Sequence, residues 1–472
     1  MGSRIGHGAR ANGGVNRFPG IKVTTGRTER RPAEASRAGL MPALPLGRCV
    51  LPPQDGPSPT QAARDLGIPP ELCVRCKAAR LLCGLPRCPI LDRVREMIPA
   101  PAPLRGRELY GPSPPSLFVG RHGYPTVRAG PMVAPGADAP ARLDAPREWV
   151  GGDVGTILGL RSGLLRSRRL VPVARPDHPV VAAAQLLAQA ERPAAVEVTL
   201  AKDPPASLRS SIEGFAAPLG PAVEALTAKV VDNPAIPRKV DALVSDTDAR
   251  AEDAATELYR SGIDAYHIQR LLSSGQLGAG HRRRLVPTRW SITATDDILG
   301  KRLIEQAKGF QEIGEATVHS FEHLGNSFHV LLLPREWSFE MLESWQRGAM
   351  WAPEDAAAAD WEPYEGRTSY ADNVTGAYYA ARLSVLERLE RLRRQAAVVV
   401  YREISPAYWA ELGVWVIREG VRRAMEEPPQ RFPGVEAAVA WIRSRVRRQA
   451  WDAESVLLDR FFRQRRITDY FG

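Results

Sequence analysis

The stretch Phe328-His329-Val330-Leu331-Leu332-Leu333 is an apolar run that ends directly before Pro334. A run of this length and composition predicts a buried strand, which proline cannot continue. A second strand is predicted at 195–200, where Ala-Val-Glu-Val-Thr-Leu alternates apolar and polar positions. Strand and helix patterns alternate from about residue 154 to about residue 335, which favours a mixed α+β region.

Helical periodicity dominates after about residue 340 and is clearest over 376–395. An earlier helix is predicted over 251–272, with N-cap chemistry supplied by Asp246-Thr247-Asp248. These patterns predict an α+β fold with a mixed strand-helix central region, a mainly helical C-terminal region and a small N-terminal zinc module held by four cysteines.

The chain is expected to divide into five segments. Residues 1–40 are rich in Gly, Ala and Arg and show no apolar periodicity, so they are predicted to be a disordered basic extension. An alternative is that Met41 is the true start and the upstream stretch is misassigned. The other segments are the zinc module at 41–98, an α+β domain at 99–340, a helix-rich domain at 341–455, and a terminal helix with a binding tail at 456–472.

Composition favours a soluble protein that meets a polyanion. Hydrophobic residues make up 44% of the 472 residues, and the net charge is +11. A basic balance of this size fits a nucleic-acid partner without proving it. The sequence contains no run of 18 or more apolar residues, so a membrane span and a membrane partner are not expected. We expect a cytoplasmic, nucleoid-associated location.

Four of the five cysteines lie within sixteen residues, as Cys73, Cys76, Cys83 and Cys88. Tetrahedral Zn²⁺ takes four thiolates, and a Cys-x-x-Cys turn supplies two of them. A full shell of four thiolates leaves no open coordination position, which predicts a structural site. Disulfides and an Fe–S cluster remain as alternatives. Cys49 is left over and is expected to be a packed core residue.

The last nine residues, 464–472, contain the pattern Gln-x-x-aliphatic-x-x-aromatic-aromatic, at Gln464, Ile467, Tyr470 and Phe471. In a helical or 3₁₀ turn the three apolar side chains share one face and form a plug. Such a plug fits the groove of a partner, and this pattern is that of peptides that dock on the DNA sliding clamp (PCNA). The alternative is an amphipathic turn packed on its own domain.

Several long strings in the chain resemble those of the archaeal Nre DNA-repair family, from about residue 70 to the end. The resemblance implies a role in DNA-damage repair, an N-terminal and a C-terminal family region joined in one chain, and a clamp-binding tail that maps onto the motif at 464–471. It does not give a biochemical activity. The strings are 73–89, 116–125, 233–238, 284–293, 376–383, 402–404 and 413–419.

The string around Arg289-Trp290 is a candidate for DNA contact. A loop that displays arginine beside tryptophan suits phosphate binding with base stacking. Asp296 and Asp297 follow, and two neighbouring carboxylates could hold Mg²⁺ for phosphodiester chemistry. The alternative is a helix start at Asp296-Asp297, where carboxylates cap free N–H groups.

A second set of polar residues follows apolar stretches in the C-terminal half. Charged residues are rarely buried unless they are paired. These residues therefore predict either a phosphate-binding polar pocket, with Glu403 as a further catalytic candidate, or a buried ion-pair network. They are Arg367, Tyr370, Tyr378, Arg382, Arg402, Glu403, Arg418 and Glu419.

Three functions are consistent with the sequence. The leading hypothesis is a zinc-stabilised repair factor that binds DNA and is recruited by the sliding clamp. The second is a metal-dependent nuclease or a hydrolase of DNA or nucleotide adducts that acts at the clamp, for which Mg²⁺ would be needed. Its catalytic candidates are Arg289, Asp296, Asp297 and Glu403. The third is an adaptor without DNA affinity of its own.

Overall fold

The computed structural model of the chain describes residues 58–463, apart from 79, 99–104, 135 and 206–219. The predicted extension at 1–40 and the predicted clamp-binding residues at 464–471 lie outside the described residues. The first described elements are three short helices that surround the cysteine segment: α1 at Gln61–Asp65, α2 at Pro70–Cys76 and α3 at Pro89–Met97.

A six-stranded sheet follows in the N-terminal half, with the order β1-β5-β6-β4-β3-β2. The β4–β6 pair is parallel and the other pairs are antiparallel. The strand predicted from alternation at 195–200 is confirmed as β5. The strands are β1 at Glu108–Ser113, β2 at Leu117–Val119, β3 at Thr126–Val133, β4 at Leu165–Pro172, β5 at Ala194–Leu200 and β6 at Ala222–Val230.

Two helices accompany this first sheet, α4 at Val154–Ser162 and α5 at Pro179–Gln189. Helix α5 lies against β3 and β6. Its Leu187 packs with Val196 and Val198 of β5 in one buried apolar cluster. The alternating pattern of β5 therefore has a physical cause, because its apolar positions belong to this buried cluster.

A second six-stranded sheet has the order β11-β10-β13-β9-β8-β14. The β10–β13 pair is parallel and the other pairs are antiparallel. A small separate pair joins β7 to β12. The strands are β7 at Gln311–Glu312, β8 at Ala316–His323, β9 at Asn326–Leu333, β10 at Ser338–Trp345, β11 at Ala356–Glu362, β12 at Arg394–Gln395, β13 at Ala397–Ile404 and β14 at Gln430–Phe432.

Helices cover both faces of the second sheet. Consecutive residues of β9 point to opposite faces of the sheet, and Val330 and Leu331 accordingly belong to two different buried clusters. This explains why the run at 328–333 is continuously apolar, since each face must be buried. The helices are α10 at Gly376–Leu392 and α11 at Trp415–Glu426 on one face, and α12 at Val435–Arg443 and α13 at Val456–Arg463 on the other.

The fold is therefore mixed α+β, as predicted. The C-terminal region contains the predicted helices, but it also supplies β11, β13, β14 and most of β10 to the second sheet. Strands from both sides of residue 340 share that sheet. Within the described part of the chain, no helix is long and apolar enough to cross a membrane.

The remaining helices lie between the two sheets in sequence, and here two predictions were wrong. The single helix predicted over 251–272 is two helices, because Gly262 adopts φ +86° and Asp264 caps a new start. The helix predicted to start at Asp296 begins at Thr288, directly after Pro287. These helices are α6 at Arg238–Ser245, α7 at Ala251–Arg260, α8 at Ala265–Ser273 and α9 at Thr288–Ala307.

The predicted N-cap at Asp246-Thr247-Asp248 also needs correction. Asp246 accepts the N–H groups of Asp248 and Ala249, which makes a turn rather than a helix start. Arg250 occupies the N-cap position of α7. Short 3₁₀ turns occupy Pro140–Asp144, Pro146–Trp149, Gly280–Arg282 and Trp451–Glu454.

Candidate functional site

A cleft of about 260 Å³ lies where α9, α10 and α11 begin. Thr288, Gly376 and Trp415, the first residues of these helices, all line it. The start of a helix carries free N–H groups and the positive end of the helix dipole, so it favours anions. In the described residues, none of the three helices has a side-chain hydrogen bond at its N-cap.

The helix starts are held together by close backbone packing. A Cβ atom at Gly376 would lie 3.1 Å from Cγ2 of Val414, so glycine allows α10 and α11 to approach each other. Before α10, Thr375 adopts φ +65°, which is unusual for a residue with a side chain. The backbone N–H of Val119, at the end of β2, donates to Oγ1 of Thr288 at 2.9 Å. The cleft therefore joins the first sheet to the helices that cover the second.

Positive charge dominates the cleft. Among the described residues, seven basic side chains line it, against two carboxylates from Asp144 and Glu411. Glu343 and Asp296 lie behind the wall and pair with Arg402 and Arg418. With these two carboxylates included, the seven positive charges still exceed the four negative charges by three. The basic residues are Lys77, Arg121, Arg161, Arg270, Arg289, Arg402 and Arg418.

Arg121 and Arg289 are close enough for their charges to affect each other. Burial lowers the pKa of Arg289. Burial also lowers the pKa of Arg121, and repulsion from Arg289 adds to the effect. Both shifts mean that the charged form is disfavoured where it stands. Tyr370 and Glu411 partly offset this cost at Arg289, and an anion bound in the cleft would offset more of it.

Arg402 and Arg418 are instead fixed from behind by buried carboxylates. Nη1 of Arg402 lies 2.5 Å from Oε1 of Glu343, and Nη2 of Arg418 lies 2.7 Å from Oδ2 of Asp296. The arginine side chains are only 2% exposed. Paired in this way, they form a rigid charged wall of the cleft.

Two more arginines retain unused donors. The buried Nε atoms of Arg161 and Arg270 have no hydrogen-bond partner in the described part of the chain. Arg161 pairs with Asp144 through another nitrogen. Both nitrogens are enclosed by protein atoms, so they do not face the open cleft.

Aromatic side chains form the other walls. Trp149 and Trp415 meet edge to face, with ring centroids 5.1 Å apart. Tyr124 is 45% exposed and Trp290 is 44% exposed. Each is close in sequence to a residue that lines the cleft, His122 for Tyr124 and Arg289 for Trp290. The ring centroids of Tyr124 and Trp290 lie 5.2 Å apart. Half-exposed paired aromatics offer a surface on which a flat ring can stack.

The two aspartates predicted for Mg²⁺ are engaged in ion pairs. Asp296 accepts two hydrogen bonds from Nη2 of Arg418, at 2.7 Å each. Asp297 pairs with Arg382 at 2.6 Å and with Lys301 at 2.7 Å. Both lie inside α9, where they neither cap its start nor line the cleft.

The other polar residues named from the sequence fall into separate groups. Glu403 accepts the backbone N–H groups of Arg447 and Arg448. Glu419 accepts from Tyr266 and pairs with Arg422. Neither carboxylate lines the cleft. Both therefore serve contacts within the fold.

Arg367 and Arg382 gather around Tyr378. Their guanidinium carbons lie 5.0 and 5.7 Å from the centre of its ring. Arg382 also pairs with Glu362 at 2.8 Å, and neither arginine lines the cleft. Of the nucleic-acid candidates, Arg289, Arg402 and Arg418 line the cleft and Trp290 lies beside it.

Sequence reasoning assigned no site role to four of the cleft cations: Lys77, Arg121, Arg161 and Arg270. Arg121 lies in the string at 116–125 that carries the family resemblance, and this was the available signal. Lys77 likewise lies in the string at 73–89. Positions so far apart in the chain meet only through the tertiary fold.

The four clustered cysteines line one small apolar pocket. Burial raises the pKa of the Cys73 thiol to about 12, and the neighbouring cysteines add to the shift. The Sγ atom of Cys76 accepts the N–H of Leu82 at 3.5 Å. Within the described residues, however, no three His, Cys, Asp or Glu side chains are arranged so that they could hold a metal ion. The zinc site stays a prediction.

The fold and cleft define a two-sheet α+β protein with a cationic site between its halves. Comparison with known families gives the class. The chain matches the family described as Archaeal Nre, N-terminal over residues 82–352, and Archaeal Nre, C-terminal over residues 362–470. It therefore belongs to the archaeal Nre family, which confirms the resemblance found in the sequence.

Curated relatives agree with this assignment. DNA repair protein NreA of Archaeoglobus fulgidus is 38% identical over 403 residues, covering 85% of this chain and 98% of the relative. DNA repair protein NreA of Haloferax volcanii is 40% identical over 71% of this chain and 81% of its own length. DNA repair protein NreB of A. fulgidus is 35% identical over 84% of this chain and 99% of its own length. No solved structure matches the chain.

The Asp296–Arg418 pair is expected to stabilise the fold. Asp296→Ala leaves a buried guanidinium without its partner, and we expect a loss of about 3–5 kcal/mol in the free energy of unfolding. The urea midpoint, followed by circular dichroism, measures it. Asp253→Ala is the matched control, because its pair with Arg302 is exposed and is expected to contribute less than about 1 kcal/mol. Equal midpoints for the two variants would contradict the structural role.

Proposed function

We propose that this chain is a DNA-repair protein that binds DNA phosphates in its cationic cleft. The observation that carries the proposal is the excess of basic side chains at a place where three helices begin. Helix starts and arginines are the usual ligands of phosphate groups in proteins. The relatives named as DNA repair proteins support the biological role.

The overall charge agrees with this function. A net charge of +11 attracts a polyanion at long range, while the cleft supplies the short-range contacts. Carboxylates converging in the cleft would instead favour metal-dependent cleavage. The cleft carboxylates are few and engaged, since Glu411 accepts from Trp351 at 2.8 Å and Asp144 pairs with Arg161. We therefore favour a binding role over the nuclease or hydrolase alternative.

Charge removal in the cleft tests DNA binding. The double variant Arg121→Gln/Arg289→Gln is expected to bind duplex and single-stranded DNA at least about tenfold more weakly, because charge-assisted hydrogen bonds contribute about 1.5–3 kcal/mol each. The slope of log K against log salt should also become shallower by about 2. Fluorescence anisotropy over a salt series measures both quantities.

The matched control is Arg394→Gln/Arg431→Gln, which removes the same charge from exposed positions outside the cleft. It is expected to change affinity much less. If both double variants weaken binding equally, the contact is diffuse rather than located in the cleft. If the unmodified protein shows no salt-dependent DNA binding, the adaptor alternative is favoured.

We also propose recruitment by the DNA sliding clamp, through Gln464, Ile467, Tyr470 and Phe471. The support comes from the motif and from the helix before it. Helix α13, which ends directly before the motif, is held at its start by Glu340. The carboxylate of Glu340 accepts the N–H groups of Val456 and Leu457 at 2.9 and 3.0 Å. The helix that precedes the motif is thus fixed to the body.

Truncation of the terminal aromatic tests this recruitment. Phe471→Ala is expected to weaken binding to the clamp by about 2 kcal/mol, roughly thirtyfold, because it removes one buried anchor. Isothermal titration calorimetry with purified clamp measures the change from an expected micromolar affinity. Thr468→Ala, at a non-anchor position of the motif, is the control. Unchanged affinity in Phe471→Ala would exclude this tail as the docking peptide.

We further propose that Cys73, Cys76, Cys83 and Cys88 hold a structural Zn²⁺. The support is their shared pocket and the soft donor set, which suits zinc. Zinc would displace the thiol protons, because only thiolates bind the metal.

Metal analysis tests the zinc proposal. The purified protein is expected to contain Zn²⁺ by mass spectrometry, and Cys73→Ser or Cys88→Ser is expected to lose it and to unfold at lower temperature. Cys49→Ser is the matched control and should keep the metal. Metal-free protein with oxidised thiols would support the disulfide alternative, and iron with sulfide would support the cluster.

A further inference from the structure

We propose that the cleft accepts one unpaired nucleotide of a DNA strand, with its phosphate between Arg121 and Arg289 and its base against the apolar wall. This deepens the proposed DNA binding and rests on it. The ligand class is a nucleoside phosphate, and we assign its source to DNA rather than to the free nucleotide pool.

The size of the cleft argues for one nucleotide. About 260 Å³ is close to the lower end of ligand pockets, which span roughly 300–1,000 Å³. A base pair or a duplex segment does not fit such a space, whereas one extruded base with its sugar does. Enzymes and repair proteins that inspect a single base must take it out of the helical stack.

The lining offers both kinds of contact that a nucleotide requires. One part is cationic, with Arg121 and Arg289 near the start of α9. Another part is apolar and includes Leu117, Met132 and Ile292. A free phosphate or sulfate would need only the first part, and an apolar ligand only the second. A nucleotide uses both.

The aromatic pair outside the cleft fits the rest of the strand. Tyr124 and Trp290 are nearly half exposed, and Trp290 directly follows Arg289. A base adjacent to the extruded one could stack on this pair while its phosphate stays near the arginines. Stacking on aromatic side chains is tolerant of sequence, as expected for a protein that responds to an unpaired base rather than to a particular base.

Binding of two matched duplexes tests the proposal. One duplex is fully paired, and the other carries one extrahelical 2-aminopurine. The protein is expected to bind the second about tenfold more tightly, in line with the contribution of one stacked base, and to change its 2-aminopurine emission. Free deoxyadenosine monophosphate should compete only at far higher concentration than the DNA.

A cavity-filling variant separates this proposal from general DNA binding. Ile292→Trp fills the apolar wall without changing charge, and it is expected to remove the tenfold preference. The preference is the ratio of the affinities for the two duplexes, so a loss of affinity common to both does not affect it. Leu226→Trp, at an exposed position of β6, is the control and should keep the preference. Thermal unfolding of each variant verifies the fold. Trp290→Ala is expected to reduce the preference in part, and it keeps the proposal testable if Ile292→Trp does not fold.

Each outcome bears on one of the two proposals. Equal affinity of the unmodified protein for both duplexes overturns the single-nucleotide inference and leaves DNA binding intact. Absence of binding to any DNA overturns the proposed function itself. Competition by deoxyadenosine monophosphate at concentrations comparable to the DNA also overturns the inference, because the site would then serve free nucleotides.

Discussion

The ion pair between Arg402 and Glu343 joins the separate parts of the molecule. Arg402 lies on β13 and Glu343 on the neighbouring strand β10, so the pair crosses the middle of the second sheet. Lys77 reaches the same carboxylate at 2.8 Å from the cysteine segment, and Asn326 of β9 accepts from Arg402 at 2.9 Å. A buried charge is tolerated only when it is fully paired. The cysteine segment, the sheet and the cleft wall therefore depend on one another.

The same reasoning distinguishes charged residues that stabilise one another within the fold from charged residues that are available to a ligand. Burial alone would raise the pKa of Glu343, but Lys77 and Arg402 lower it, so these charges stabilise one another. Arg121 and Arg289 show the opposite behaviour, because burial disfavours both charged forms and Arg289 repels Arg121. They also lie beside helix starts, where positive charge is unfavourable. An anion bound there would stabilise both guanidinium groups further, which supports the proposal that the cleft binds one.

Local patterns in the sequence were sufficient for much of the fold but not for the site. The strand at 328–333 and the helix from Gly376 were predictable, because apolar periodicity follows directly from which faces are buried. The break at Gly262 was missed, since the same periodicity continues on both sides of it. The start of α9 was missed because the signal at Pro287 is weaker than the paired aspartates later in the helix. The cleft itself draws on positions from 77 to 418, and no local pattern encodes that convergence.

Strand β10 connects the proposed tail to the proposed DNA site. On one face Glu340 holds the start of α13, and on the other Glu343 holds Arg402 at the cleft. A tail of nine residues spans at most about 30 Å, so a clamp bound to it would stay near the body. Tethering at this range raises the local concentration of DNA around the cleft. If both proposals hold, a cleft with only modest affinity for an unpaired base would suffice on DNA that the clamp already encircles, because the clamp would supply the encounter and the cleft the discrimination.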